Sequence, residues 1–296
     1  MMTRRDAIRL AVSMPLAPWT AAAQSASTPA LASGDPMSPQ RRALIDAFRG
    51  KIAGVADQFE KRVHKSSWAM PYRLFRPSRA AGAPLVLYLH GSGGLGDDNQ
   101  KQLGLGNIFA AHVWVLPENQ KRFPCYVVAP QTDRGWVNYQ DSPAGGPARV
   151  VPGFGDGVRL ALEIVRAVVR EFAIDERRIY AIGQSMGGAG TWNLITHHPQ
   201  AFAAAVICCG SMTQDDVTHA VRTPLWNFHG DADQTVPVAV SRDRIAVLRK
   251  AGGQPLYTEY AGVDHNVWEW AFTEPALPPW LFAQHRAPQA RAVGWG

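Results

Sequence analysis

The sequence predicts an α/β fold, a mostly parallel, doubly wound sheet flanked by helices, with no separate lid domain. Three observations carry that expectation. Short apolar runs alternate with longer stretches of helical periodicity, an order that gives parallel strands joined by short right-handed crossovers. Several runs, such as Leu85 to Leu89 and Tyr126 to Ala129, are apolar almost throughout, as strands covered on both faces are. Only about a dozen residues separate the run ending at Gly210 from the one starting near Pro224, too few for an independent lid.

The elements follow in order. Residues 24–40 are rich in Ala, Ser and Pro and read as a flexible linker, and Pro39 to Phe48 as a short helix. Gln58 to Ser66 and Pro71 to Phe75 read as strands entering the sheet. Val158 to Phe172 has helical periodicity, with charge at Arg159, Glu163, Arg166 and Arg170. Ile179 to Ile182 is the next strand, followed by a helix after Ser185 and a strand over Ala204 to Cys208. Ser241 to Ala251 is an amphipathic helix closed by Gly252-Gly253, and Leu256 to Tyr260 alternates as a strand does. The chain of 296 residues, 46% hydrophobic and 18% charged, suits one catalytic domain over residues 41–290.

The chemistry begins at Gly183-Gln184-Ser185-Met186-Gly187. An apolar run ends there and a small-residue run follows, which is the order strand, sharp turn, helix. Such a turn strains a serine and exposes its hydroxyl, while the flanking glycines let the backbone fold tightly. The five-residue pattern is weak alone. Downstream, Leu225 to Gly230 breaks into the acidic loop Asp231-Ala-Asp233, and Leu256 to Tyr260 runs into Asp264-His265. The order Ser185, Asp233, His265, each just past a strand, is that of a nucleophile, an orienting acid and a base. A serine hydroxyl becomes a useful nucleophile when an imidazole takes its proton, and the imidazole needs a carboxylate to fix its tautomer. Asp231 competes for the acid, and Asp264 adjoins the base in sequence.

Upstream, the strand Pro84 to Leu89 ends in His90-Gly-Ser-Gly-Gly94. That loop can turn a backbone N–H towards a developing oxyanion, and Met186 N–H and Ser92 N–H are the expected donors. The walls of a cleft would come from residues 91–123 and 131–155. Trp136 and Trp268 are candidates for substrate contact, with plain packing equally open, whereas Trp192 and Trp226 suit the core.

These motifs resemble one family. Met70 to Pro77, Tyr88 to Gly94, Val128 to Gln131 with Trp136, Phe172 to Trp192, His229 to Pro237 and His265 to Trp268 are similar to the compact α/β-hydrolases of the predicted-peptidase and carboxylesterase group, relatives of polyhydroxybutyrate depolymerases and feruloyl esterases. The resemblance covers about residues 68 to 283 and implies an α/β-hydrolase fold. It also implies a serine esterase with its acid at Asp233 and its base at His265. Gln184 departs from it, since relatives often carry an apolar residue there. A peptidase on the same triad, an acyltransferase and a non-catalytic binding protein stay open as alternatives.

Other features bound the function. The net charge of +6 falls to +4 once residues 1–23, with three arginines and one aspartate, are set aside. Charges are dispersed and no nucleic-acid motif is present, so a nucleic-acid partner is not expected. The expected partner is a small-molecule or polymer-borne ester, with no cofactor and no metal, since no Cys-x-x-Cys or His-Glu-x-x-His spacing occurs. Cys208 and Cys209 sit side by side in an apolar run and read as core. Arg4-Arg5, a moderately apolar stretch to Trp19 and Ala21-Ala22-Ala23 read as a twin-arginine signal peptide over residues 1–23, so export to a bacterial periplasm or beyond is expected.

Overall fold

The computed structural model describes residues 34–140, 149–210 and 215–286; the expected signal peptide and the first part of the expected linker lie outside them. The strands are β1 (Glu60–Lys65), β2 (Ala69–Phe75), β3 (Ala83–Leu89), β4 (Tyr126–Pro130), β5 (Tyr139–Gln140), β6 (Arg149–Val150), β7 (Ile174–Gln184), β8 (Ala204–Cys208), β9 (Leu225–Gly230) and β10 (Leu256–Tyr260). Between them lie α1 (Pro39–Ile52), α2 (Ile108–His112), α3 (Pro117–Arg122), α4 (Asp156–Glu171), α5 (Met186–His197), α6 (Ala239–Lys250), α7 (Trp268–Ala271) and α8 (Leu277–Phe282). The main sheet has the order β1-β2-β4-β3-β7-β8-β9-β10. β1 and β2 join antiparallel at one edge, and β4 onward all neighbours are parallel. β5 and β6 form a separate two-stranded ribbon.

Side chains of a strand alternate between faces, and here each face has its own core. Leu85, Leu87 and Leu89 of β3 pack with Ile179 and Ala181 of β7 beneath α4, α5 and α6. Val86 and Tyr88 pack with Tyr180 and Ile182 beneath α1, α2, α7 and α8. This is why β3 is apolar along its whole length. Each fully buried Leu or Val in it contributes about 1.5–3 kcal/mol relative to exposure. Trp192 and Trp226 are core residues, as are Cys208 and Cys209, all almost completely buried.

Several elements differ from their expected bounds. β7 starts five residues before the expected strand because Ile174 already pairs with Ala83, across a shift in register. α1 extends to Ile52: Ser38 Oγ accepts the Arg41 N–H at its start, Pro39 sits in the first turn, and Ile45 and Ile52 are buried. Residues 34–40, expected as the end of a linker, are docked. Pro36 O accepts the Trp270 indole N–H at 2.8 Å. Behind it, buried Arg41 pairs with Glu274 at 2.9 Å and donates to Trp270 O, while Tyr260 Oη donates to Glu274. α1 is thereby fixed to the segment that follows His265. Residues 91–123 are a succession of short turns and helices, too brief for periodicity to reveal. Among the described residues no helix is long and apolar enough to cross a membrane.

Candidate active site

All the chemistry-bearing residues come off the carboxyl ends of parallel strands, where open α/β sheets form their crevice. β7 turns abruptly into α5 at Ser185, whose backbone sits at φ 52°, ψ −119°, a conformation L-residues rarely adopt. The flanking glycines are what allow it. A Cβ at Gly183 would run into Gly187 O, and one at Gly187 would run into Leu89 O, so neither position has room for a side chain. Ser185 N–H donates to Cys208 O at 2.9 Å, pinning the turn to β8. The strained residue stands at the start of a twelve-residue helix, whose first N–H groups carry partial positive charge.

The loops after β9 and β10 meet the serine. Ser185 Oγ lies 2.8 Å from His265 Nε2, and His265 Nδ1 lies 2.8 Å from Asp233 Oδ2. The carboxylate can only accept, so Nδ1 carries the proton and Nε2 is left to accept from the serine hydroxyl. Asp233 Oδ1 accepts the N–H groups of Thr235 and Val236, both at 2.8 Å, and the carboxylate is completely buried. A second histidine backs it. His229 Nε2–H donates to Val236 O at 2.9 Å and lies 3.2 Å from Asp233 Oδ2, while the Ser241 hydroxyl donates to Nδ1 at 2.7 Å. Burial holds the His229 imidazole below its ordinary pKa, so it stays neutral. The competing carboxylates have other duties: Asp231 accepts Gly262 N–H and Asp264 accepts Gln234 N–H.

The glycine-rich loop lies beside Ser185, since a Cβ on Gly91 would be 3.6 Å from Ser185 Cβ. Gly91 N–H is occupied by Asn107 Oδ1 at 2.9 Å. Ser92 N–H has no protein acceptor among the described residues, and Met186 is the first residue of α5, whose N–H has no partner within the helix. His90 braces the loop from below: Thr132 N–H donates to its Nε2 at 3.2 Å, so Nδ1 carries the proton and donates to Gly91 O at 2.7 Å. Burial pushes His90 down to about 4, and burial does the same to His112.

Those two values set an acid sensitivity. A histidine whose folded pKa lies below its unfolded one gains protons on unfolding, so stability present above pH 6.5 is lost as pH falls towards 4. The expected loss is about 3 kcal/mol per histidine over that interval. Urea unfolding at pH 7 and pH 4.5 measures it; the difference should shrink in His112→Gln, and an unchanged difference would count against this source.

Of the two readings open for Trp136, substrate contact and plain packing, the structure gives packing. Trp136 is fully buried, its indole N–H donates to His90 O at 2.8 Å, and its ring stands edge-on to His90 at 4.8 Å between centroids. A buried indole N–H needs an acceptor, and the carbonyl at the end of β3 supplies it. Trp268 is half-buried at the rim, its ring perpendicular to that of His265 at 5.5 Å. Cys209, unremarked as a site residue in the sequence, lies against His265. Its Sγ is 3.3 Å from His265 O, within 4.8 Å of ligand atoms of Asp233 and His265, and burial pushes the thiol well above its usual range.

Residues 75–274 match the Phospholipase/Carboxylesterase family, Abhydrolase_2. The chain belongs to that family. Among proteins similar to this family member is one named "Putative esterase NocK", from Nocardia uniformis subsp. tsuyamanensis, 26% identical over 80% of this chain and 66% of its own. A solved thermostable esterase is 34% identical, with a TM-score of 0.70 over 78% of this chain and 64% of that one. The chain thus spans just under two thirds of both relatives' lengths. A ferulic acid esterase of Anaeromyces mucronatus shares the fold, at 14% identity and a TM-score of 0.55, over 76% of this chain and 91% of that one. The phospholipase/carboxylesterase match begins within β2, so α1 and β1 lie outside it.

Proposed function

We propose that this protein hydrolyses carboxylic esters, with Ser185 as nucleophile, His265 as general base and Asp233 as the orienting acid. The observation that carries the reading is the continuous chain Ser185 Oγ to His265 to Asp233, 2.8 Å at each link, on a strained strand-to-helix turn. Ser185 Oγ attacks the acyl carbon while His265 Nε2 takes its proton. Asp233 stabilises the imidazolium that results. The tetrahedral oxyanion is received by Met186 N–H and Ser92 N–H, which fits with Gly91 N–H being committed to Asn107. His265 then protonates the leaving alcohol, and water repeats the sequence on the acyl-enzyme. Trp268, beside the base, is the proposed contact for the substrate, a small or polymer-borne ester.

A panel of p-nitrophenyl esters of graded acyl length and methyl ferulate, set against peptidyl amides, tests the reaction class. Ester turnover well above amide turnover is the expected result; amide cleavage alone would replace the esterase by a peptidase. We also propose export by the twin-arginine route, supported by Arg4-Arg5 and the Ala21-Ala22-Ala23 run. Arg4→Lys with Arg5→Lys should leave the protein in the cytoplasm, and unchanged export would refute that route.

A further inference from the structure

Beneath the oxyanion loop lies a cluster of polar side chains that the proposed chemistry does not use. Tyr88 on β3, Gln184 at the end of β7 and Asn107 before α2 are all 0–2% exposed. They satisfy one another. Tyr88 Oη–H is shared between Asn107 Oδ1 at 3.2 Å and Gln184 Oε1 at 3.3 Å. Gln184 Nε2 donates to Gly106 O at 2.9 Å, and Asn107 Nδ2 to Lys101 O at 3.4 Å. Burial raises the Tyr88 phenol well above its ordinary pKa, so it remains a donor.

The network has a direction. Its last bond runs from Gly91 N–H to Asn107 Oδ1 at 2.9 Å, and Gly91 is the residue whose Cβ, if present, would touch both Asn107 Oδ1 and Ser185 Cβ. Holding that N–H fixes the peptide plane entering Gly91, while Gly91 O, which shares its peptide plane with the Ser92 N–H, accepts from His90 Nδ1 at 2.7 Å and from Gly94 N–H at 2.9 Å; the two planes flanking Gly91 together set where the Ser92 N–H points. The other end of the network is Gln184, covalently adjacent to Ser185. His90 holds the loop from one side, and on the other the three buried polar side chains offset their desolvation by hydrogen-bonding one another and the loop's Gly91 N–H. An apolar residue at 184 could not make these bonds.

We propose that Asn107, held by the Tyr88 hydroxyl and, through the preceding Gly106 carbonyl, by Gln184 Nε2, is a positioning residue that orients the oxyanion loop relative to Ser185. The proposal rests on the ester-hydrolase reading. It makes donor placement at the oxyanion depend on a side chain 15 residues beyond Ser92.

The test compares the full-length protein with Asn107→Ala and Gln184→Met, measuring kcat and KM on a p-nitrophenyl ester and the Ki of an alkylboronic acid. The boronate becomes tetrahedral on the serine and so reports the oxyanion donors, which a merely structural loss would not single out. Asn107→Ala should lower kcat by about 10–100-fold, leave KM within about threefold, and weaken the boronate by a similar factor. Gln184→Met keeps the volume and should move the same two quantities in the same direction by a smaller factor, which preserves the test if Asn107→Ala does not fold. Folded variants with kcat and Ki within twofold of wild type would overturn the positioning role while leaving the esterase intact. Wild-type protein that neither hydrolyses the esters nor binds the boronate would overturn both.

Discussion

Ser185→Ala should lower kcat on a p-nitrophenyl ester by about 10⁴–10⁶-fold, with the fold and KM little changed. The magnitude follows from the division of labour. Among the described residues the Ser185 hydroxyl is the side chain hydrogen-bonded to His265 Nε2, and a methyl group in its place could not form the proposed acyl-enzyme. What remains is the contribution of the oxyanion donors and substrate binding to direct attack by water. The variant should be as stable as wild type: alanine fits the space, and the turn is fixed by Ser185 N–H to Cys208 O, a backbone bond that survives the change. Steady-state kinetics with a far-UV CD melt check both halves. A folded variant within tenfold of wild-type turnover would mean that another group does the chemistry.

Asp233→Asn carries the second largest expected effect, about 10⁴-fold in kcat. The geometry forces the outcome. Asp233 Oδ1 accepts Thr235 and Val236 N–H, so the asparagine must keep its carbonyl oxygen there and turn its NH₂ towards His265. Two donors then face each other unless the imidazole gives up its Nδ1 proton. The resulting tautomer carries hydrogen on Nε2, where it can no longer accept from Ser185. His229 cannot replace the lost acceptor, because its Nε2–H is itself a donor, satisfied by Val236 O. Turnover is again the measurement, and a loss below tenfold would show that the tautomer is set elsewhere.

Much of this site was legible in the chain because its parts are local. Ala204–Cys208 and Leu256–Tyr260 are strands with the bounds that apolar runs and alternation suggest. The order Ser185, Asp233, His265 is a property of sequence, and the structure brings those three side chains into one hydrogen-bonded line. Relationships between distant segments were not legible. Trp136 has the same letter whether its indole faces a cleft or donates to His90 O, and only the packing against β3 decides. The early start of β7 depends on Ala83 as its partner, and the anchoring of α1 through Arg41 on Trp270, Thr273 and Glu274, more than 200 residues away. Asn107 left no motif because its partners, Tyr88 and Gly91, become meaningful only once β3 and β7 lie side by side. Gln184 was the one visible hint, a polar residue where an apolar one would be ordinary.

The most direct measurement of the central claim is covalent. A fluorophosphonate incubated with the purified protein, followed by intact mass and peptide mapping, asks which oxygen is the activated nucleophile. One adduct per chain is expected, on the peptide bearing Ser185, lost in Ser185→Ala and strongly slowed in Asp233→Asn. Ester hydrolysis that continues with no adduct, or an adduct that persists in Ser185→Ala, would contradict it.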